Sequence, residues 1–415
     1  MKKKWIFIII GVLVIGGLLM ASNFLWFGKK SQNLNKDTWK PLITEDSVLS
    51  ATLLNIAAKY NQPAMACALV NSKGIITSAA VGTYVYGEDL PVNIDSRFNI
   101  GSDTKSMTAL LIQILIDEGK LSYNTTLGQA LPDIPMLPAY RNVTINDLLL
   151  SKAGIIAFQR TALEDPNVVQ KLWTEIPAQY PVPTEQRREV AKFALSLSPI
   201  AEPGSKAIYS NVGWSIAGLI AETVAGKPYE ELIQEKIFDP IGMKNARLGG
   251  WPASVAESNQ PRGHYPGAGS GKTPKPQELN DVYTFPDWMN PSGGVNCSIK
   301  DFASYVQENL AGLEGKGKLL DKTGYESIHS IHMRVKISEM YLDNKQKGEL
   351  TMGYGWDVVT LGGDNISVAS GSGGTFFATI AVYPGLDIGF VGFTNSGDGV
   401  QALEEAIKKT TGIKW

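Results

Sequence analysis

Cysteine and histidine are scarce in this 415-residue chain: Cys67 and Cys297 are its two thiols, and it has three histidines. Two cysteines cannot make a disulfide framework. Cys67 lies in the apolar run Met65 to Val70 and reads as a small buried hydrophobe. A bridge to Cys297 would need a geometry that sequence does not fix. His329 and His332 are three apart, but no third ligand accompanies them. A zinc site takes three or more protein ligands, so both read as packing or surface residues. His264 sits in a Gly/Pro-rich stretch and is not assigned a role. No histidine accompanies a Gly-x-Ser-x-Gly turn, which disfavours a Ser-His-Asp hydrolase. Positive charge is not in excess either: 38 Lys and Arg against 40 Asp and Glu give a net charge of −2, so nucleic acid is not an expected partner. No repeat with a period of about twenty to fifty residues appears, which disfavours a solenoid. A 44% hydrophobic share with 19% charge fits a globular protein with a substantial core.

The first segment stands apart. Lys2, Lys3 and Lys4 precede Trp5 to Phe27, an uncharged and mostly apolar run. At about 1.5 Å per helical residue it can cross a hydrocarbon layer of about 30 Å. Lys29 and Lys30 follow, and the small lysine bias favours a cytoplasmic amino end. The expected organisation is a cytoplasmic stub at 1–4, a single-pass transmembrane anchor at 5–27, a linker at 28–45 and one domain from 46 to 415. A cleaved signal peptide is the rival; cleavage after Ala21 would want a small residue where Leu19 stands. Either way the domain is expected outside the cytoplasm.

Strand patterns gather at the two ends of that domain: Ala64 to Val70 and Gly74 to Val81 around a hairpin signal, then Trp356 to Thr360, Thr375 to Tyr383 and Ile388 to Thr394. A short strand candidate, Arg97 to Ile100, precedes Ser102. Helical patterns include Thr44 to Lys59, Gln186 to Leu195, Asn211 to Val224, Asp301 to Ala311 and Glu404 to Lys409. The predicted class is α/β: an antiparallel sheet built from both chain ends, flanked by helices, with a helical insert lobe at about 122–250. Residues 251–291 are dense in Gly and Pro and read as an irregular crossing. Its aromatic residues Trp251, Tyr265, Tyr283, Phe285 and Trp288 either pack that crossing or line a cleft, with packing favoured. Within it, Pro266 to Thr273 imitates a phosphate loop. Pro266 occupies the first Gly position, and Pro274 and Pro276 stand where a helix should start, so it reads as a loop.

Chemistry concentrates in Gly101-Ser102-Asp103-Thr104-Lys105. Residues three apart share a helix face, so the Lys105 amine can lie beside the Ser102 hydroxyl. A serine needs a partner to take its proton, and burial favours neutral lysine. The apolar positions Met107, Leu110, Leu111, Ile114 and Leu115 would bury this helix. A second motif, Tyr209-Ser210-Asn211, puts a phenol and a carboxamide on one side of an extended segment. The phenol can shuttle a proton and the amide can hold a lysine or a carbonyl. Tyr140-Arg141-Asn142 has the same pattern but lies in a polar loop and reads as structural.

Together these residues resemble the class C β-lactamase-like serine hydrolases, within the penicillin-recognising enzymes. That group includes D-alanyl-D-alanine carboxypeptidases, D-aminopeptidases and esterases. The resemblance spans roughly 46–412 and rests on Phe98 to Lys105, Tyr209 to Trp214, Gly226 to Tyr229, Asp239 to Met243, Pro291 to Val295 and Tyr354 to Trp356. It implies a β-lactamase/transpeptidase-like fold and an acyl-enzyme on Ser102, with Lys105 and Tyr209 passing the proton and Asn211 orienting. It also implies an oxyanion hole from the backbone N–H groups of Ser102 and Ser372, and no metal or organic cofactor. The family's third motif, Lys-Thr-Gly or His-x-Gly, aligns with Ala369-Ser370-Gly371. Ser370 and Gly371 keep their substrate-binding places; the cation, which binds a substrate carboxylate and keeps the tyrosine acidic, is replaced by Ala369. The expected substrate is a small molecule or peptide, cell-wall-derived material included, cleaved at an amide or ester. The competing expectation, motivated by Ala369, is a catalytically impaired relative that binds a wall peptide or protein partner.

Overall fold

The structure is a computed structural model that describes residues 39–159, 164–249, 259–265, 273–278, 285–342, 346–361 and 363–413. The expected anchor at 5–27, most of the linker, the phosphate-loop imitation at 266–272, and Trp251 and Tyr283 lie outside the described residues. Among the described residues no helix is long and apolar enough to cross a membrane.

An eight-stranded sheet forms from both ends of the domain. Its strands are β1 (Ala64–Asn71), β2 (Gly74–Gly82), β3 (Met333–Lys336), β4 (Glu349–Met352), β5 (Asp357–Leu361), β6 (Asp364–Ser372), β7 (Phe377–Tyr383) and β8 (Ile388–Thr394). The order is β2-β1-β8-β7-β6-β5-β4-β3, with every neighbouring pair antiparallel. β1 joins the two ends of the chain: Met65 stands opposite Thr394, and Val70 opposite Gly389.

Alternation along β1 divides the interior in two. Ala64, Ala66, Ala68 and Val70 face the larger core, with α2 (Thr104–Asp117), α4 (Asn211–Ala225) and α5 (Ile299–Leu313). Met65, Cys67 and Leu69 face a smaller one, with α1 (Asp46–Tyr60) and α7 (Val400–Thr411). Helix α1 buries Leu49, Leu53 and Ile56 at three- and four-residue spacing. Full burial of each such side chain stabilises by about 1.5–3 kcal/mol. Cys67 and Cys297 therefore sit in different cores, and both are free, buried thiols.

The helical insert carries α3 (Pro183–Ser196) and α4. Ser210 caps α4 by accepting from Gly213 N–H at 2.9 Å, and Gly226 ends it in the left-handed region at φ 68°. α6 (Lys322–His329) follows α5.

Two differences from the sequence pattern have local causes. The strand expected from Thr375 starts at Phe377, because Ser372 to Phe376 form a turn: Ser372 Oγ donates to Phe376 O (2.7 Å) and accepts from Gly374 N–H (3.0 Å). β3 carries no apolar run because it is the edge strand, where polar residues such as Lys336 face water, and β4 is only four residues long.

Candidate active site

Ser102 sits in a single 3₁₀ turn, Gly101–Asp103, directly before α2. That turn is pressed against the end of β6. A Cβ on Gly371 would lie 1.9 Å from Ile100 O and 2.5 Å from Ser102 N; one on Gly101 (φ 50°) would lie 2.5 Å from Ser372 N. Only glycine at both positions allows the two backbone segments to touch. The two N–H groups expected to form an oxyanion hole belong to these segments.

Lys105 lies one turn along α2, 4% exposed. Its Nζ has three oxygen neighbours: Ser102 Oγ at 3.1 Å, Asn211 Oδ1 at 2.8 Å and the backbone O of Ser292 at 2.5 Å. Burial pushes the Lys105 pKa well below the usual lysine range; the Asp103 charge opposes this. Asp103 is fully buried with both carboxyl oxygens unpartnered, and burial pushes its pKa well up. Both groups are thus driven toward their neutral forms.

Tyr209 reaches Ser102 from the segment before α4, its hydroxyl 2.6 Å from Ser102 Oγ. Its main chain is fixed on both sides: Tyr209 N–H donates to Met340 O at 2.9 Å, and Gln159 Nε2 donates to Tyr209 O at 2.6 Å. The ring stacks on Tyr341 at 5.3 Å and has Lys105 Nζ 4.8 Å from its centre. Burial pushes the Tyr209 phenol above its ordinary range, so it holds its proton. Asn211 is oriented through its other amide end, Nδ2 donating to Phe158 O at 2.8 Å.

The residues singled out in the sequence thus converge: Ser102, Lys105, Tyr209 and Asn211 share one hydrogen-bonded cluster, and Ser370 and Ser372 line the same cleft. Gly371 lies between them at the contact with the Ser102 turn. Ala369 also lines the cleft, with no cation in its place.

With that geometry in view, the relationship to known proteins is direct. The Beta-lactamase family profile matches residues 49–410. The chain belongs to the Beta-lactamase family. It is 25% identical over 347 residues to the D-alanyl-D-alanine-carboxypeptidase/endopeptidase AmpH of Escherichia coli (strain K12), covering 77% of this chain and 79% of AmpH. Among solved structures, the octameric penicillin-binding protein homologue from Pyrococcus abyssi superposes with a TM-score of 0.67 at 23% identity, over 88% of this chain and 78% of that one. The D-alanine carboxypeptidase AmpC from Burkholderia cenocepacia gives 0.62 at 18% identity, over 87% and 97%. The chain is a serine hydrolase of the β-lactamase/carboxypeptidase type.

Other residues of this family member's cleft carried no sequence signal of their own. Gln159 bridges Tyr209 and the 340–342 segment, also accepting from Leu342 N–H at 2.9 Å. Ser292 acts through a backbone oxygen, which no side-chain motif reports, although it falls in the quoted Pro291–Val295 stretch. Asp357 follows the quoted Tyr354–Trp356 motif directly and lines the cleft beside Met340, Tyr341 and Met352. Of the aromatic group in the crossing, Phe285 lines the cleft, whereas Trp288 is buried and donates its indole N–H to Leu172 O at 2.8 Å.

The remaining polar candidates lie away from the cleft. Tyr140 is buried and donates to Leu197 O at 3.2 Å. His329 is buried between Ser367 Oγ (2.7 Å) and Asn309 Oδ1 (2.9 Å). His332 stacks on Tyr354 at 3.9 Å. His264 is buried, its Nδ1 2.8 Å from Asn395 O, while its Nε2 accepts from Tyr86 N–H at 3.0 Å. Among the described residues no group of three or more His, Cys, Asp or Glu could hold a metal ion.

Proposed function

We propose that Ser102 is the acylated nucleophile and Lys105 the base that activates it. The observation that carries this is the set of three oxygens around Lys105 Nζ. A neutral amine has two N–H groups and one lone pair. Asn211 Oδ1 and Ser292 O take the two hydrogens, which leaves the lone pair facing Ser102 Oγ. Burial supplies the neutral form. Ser102 gives its proton to Lys105 as Oγ bonds to the carbonyl carbon of an amide or ester. Tyr209, protonated and 2.6 Å from Oγ, donates to the departing nitrogen or oxygen and is resupplied from Lys105. Water then enters by the reverse relay, releasing the acid and restoring Ser102. The backbone N–H groups of Ser102 and Ser372 hold the carbonyl oxygen; loss of one such donor in a comparable site slows reaction about 100- to 1,000-fold.

The substrate class supported is a peptide or small acyl compound, in line with the carboxypeptidase relative. The charge-free run from Trp5 to Phe27 behind Lys2–Lys4 supports a single-pass anchor that places the hydrolase domain, residues 46–415 with a helical lobe at about 122–250, outside the cytoplasm. Alkaline carbonate washing of membranes tests the anchor: full-length protein stays in the pellet, whereas release of a shortened chain would show signal cleavage.

For the nucleophile, the full chain is treated with a fluorophosphonate and weighed intact beside Ser102→Ala. One adduct on the parent protein and none on the variant is expected; equal labelling of both removes Ser102 from the reaction.

A further inference from the structure

Among the described residues lining the cleft, Asp357 is the one carboxylate and Lys105 the one cation. The two do not pair. Lys105 Nζ is already surrounded by Ser102, Asn211 and Ser292. No hydrogen bond or ion pair joins the Asp357 carboxylate to another described residue. It starts β5, opposite Met352 on β4 and opposite Val368 on β6, the residue before Ala369. The titratable groups that feel its charge are Tyr209, Tyr341 and Asp103, and it disfavours the anion of each. Burial alone pushes its own pKa from 3.8 up to about 7. Among the described residues lining the cleft, no cation pairs with this carboxylate, and the titratable groups that feel its charge are repelled by it. Such a carboxylate is costly to bury ionised unless a partner arrives from outside.

We infer that Asp357 is a specificity-determining residue that receives a primary ammonium group of the substrate, so the preferred substrates are amine-bearing amides or esters rather than carboxylate-bearing ones. This rests on the serine-hydrolase reading of the same cleft. With Ala369 where a cation would bind a carboxylate, no second positive charge among the described residues lines the cleft to offset Asp357. A substrate carboxylate there meets like charge, whereas an ammonium gains a charge-assisted hydrogen bond in a partly desolvated site.

The test compares p-nitrophenyl esters of 6-aminohexanoate, hexanoate and adipate with the full-length protein. The expected kcat/KM ratio of aminohexanoate to hexanoate is about tenfold or more, the scale of one hydrogen bond to a charged group. The ratio collapses toward one in Asp357→Asn, survives in Asp357→Glu, and shifts toward adipate in Asp357→Lys. Each ratio is internal to one variant, so a change in folded fraction cancels. A second arm is independent of catalysis: ligand-observed NMR of 6-aminohexanamide with Ser102→Ala and with Ser102→Ala/Asp357→Asn. Binding by the first and its loss in the second supports the inference. Equal ratios in parent and Asp357→Asn, or equal binding by both NMR variants, overturns it. If no ester acylates the protein, the hydrolase reading fails, and the NMR arm still decides the role of Asp357.

Discussion

The hydroxyl of Tyr209 lies 2.6 Å from Ser102 Oγ, and the two residues are 107 apart in the chain. What brings them together is backbone rather than side chain: Tyr209 is held through its N–H by Met340 O and through its own carbonyl by Gln159. Tyr209→Phe keeps the ring stacked on Tyr341 and removes only the proton carrier. A fall in kcat of about 100- to 10,000-fold with little change in KM is expected, the range of positioned acid–base groups. Steady-state kinetics on a chromogenic ester measures it; an unchanged kcat would assign the proton transfer elsewhere.

The proposed relay needs a neutral Lys105. Burial lowers its pKa, so the amine is freed at a pH below the ordinary lysine value of 10.5. The acid limb of kcat/KM therefore rises with pH through that lowered pKa, not through 10.5. Asp357 adds a second dependence: preference for the amine-bearing ester strengthens as pH rises through about 7, where the carboxylate ionises. In Asp357→Asn the ratio between amine-bearing and neutral esters is flat with pH.

Two buried histidines set an acid limit on stability. Burial lowers His264 from 6.5 to about 4 and His329 to about 3. The unfolded chain takes up these protons first as pH falls below about 6.5, so stability drops from there until the folded pKa is reached. The slope is about 1.4 kcal/mol per pH unit for each histidine. Urea unfolding at pH 7 and pH 4.5 measures it. His329→Gln, which stays neutral, should lose one histidine's share of the slope; parallel slopes would contradict this.

Arg187 is a fully buried side chain that donates to Glu222 Oε1 at 2.5 Å and Glu230 Oε2 at 2.7 Å. It also donates to Asp287 O at 3.1 Å, while Glu230 accepts from Asn290 at 2.8 Å, so the cluster secures the turn that delivers Ser292 O to Lys105. Arg187→Met leaves two carboxylates uncompensated and costs about 3–5 kcal/mol. Urea midpoints measure the loss, and adding Glu222→Gln should recover part of it; no recovery would mean the charge is not the cause.

The sequence pattern carried most of what lies on one element and little of what crosses between elements. Ser102 and Lys105 share a helical face, so their pairing could be read from spacing. The apolar runs of β1 and β8 and the apolar positions of α2 and α4 were equally readable. Tyr209 and Asn211 could be singled out as a phenol and a carboxamide two residues apart, but nothing local says which fold partner they meet, and only the resemblance linked them to Ser102. The Ser292 oxygen reaches Lys105 across 187 residues and has no side-chain signature at all. β6 was missed as a strand because Asp364, Asn365, Ser367, Ser370 and Ser372 dilute its apolar positions. Asp357 shows nothing by itself; the role inferred for it comes from the lack of a partnering cation among the described cleft residues, a property of surroundings.

The bond from Ala64 N–H to Asn395 Oδ1 spans 331 residues. A ribosome adding about 5–20 residues per second takes about 15 to 65 s between the two. Through that interval the first hairpin has one edge bare and ready to pair with any strand it meets. Folding of this chain is thereby timed by completion of synthesis rather than by its start.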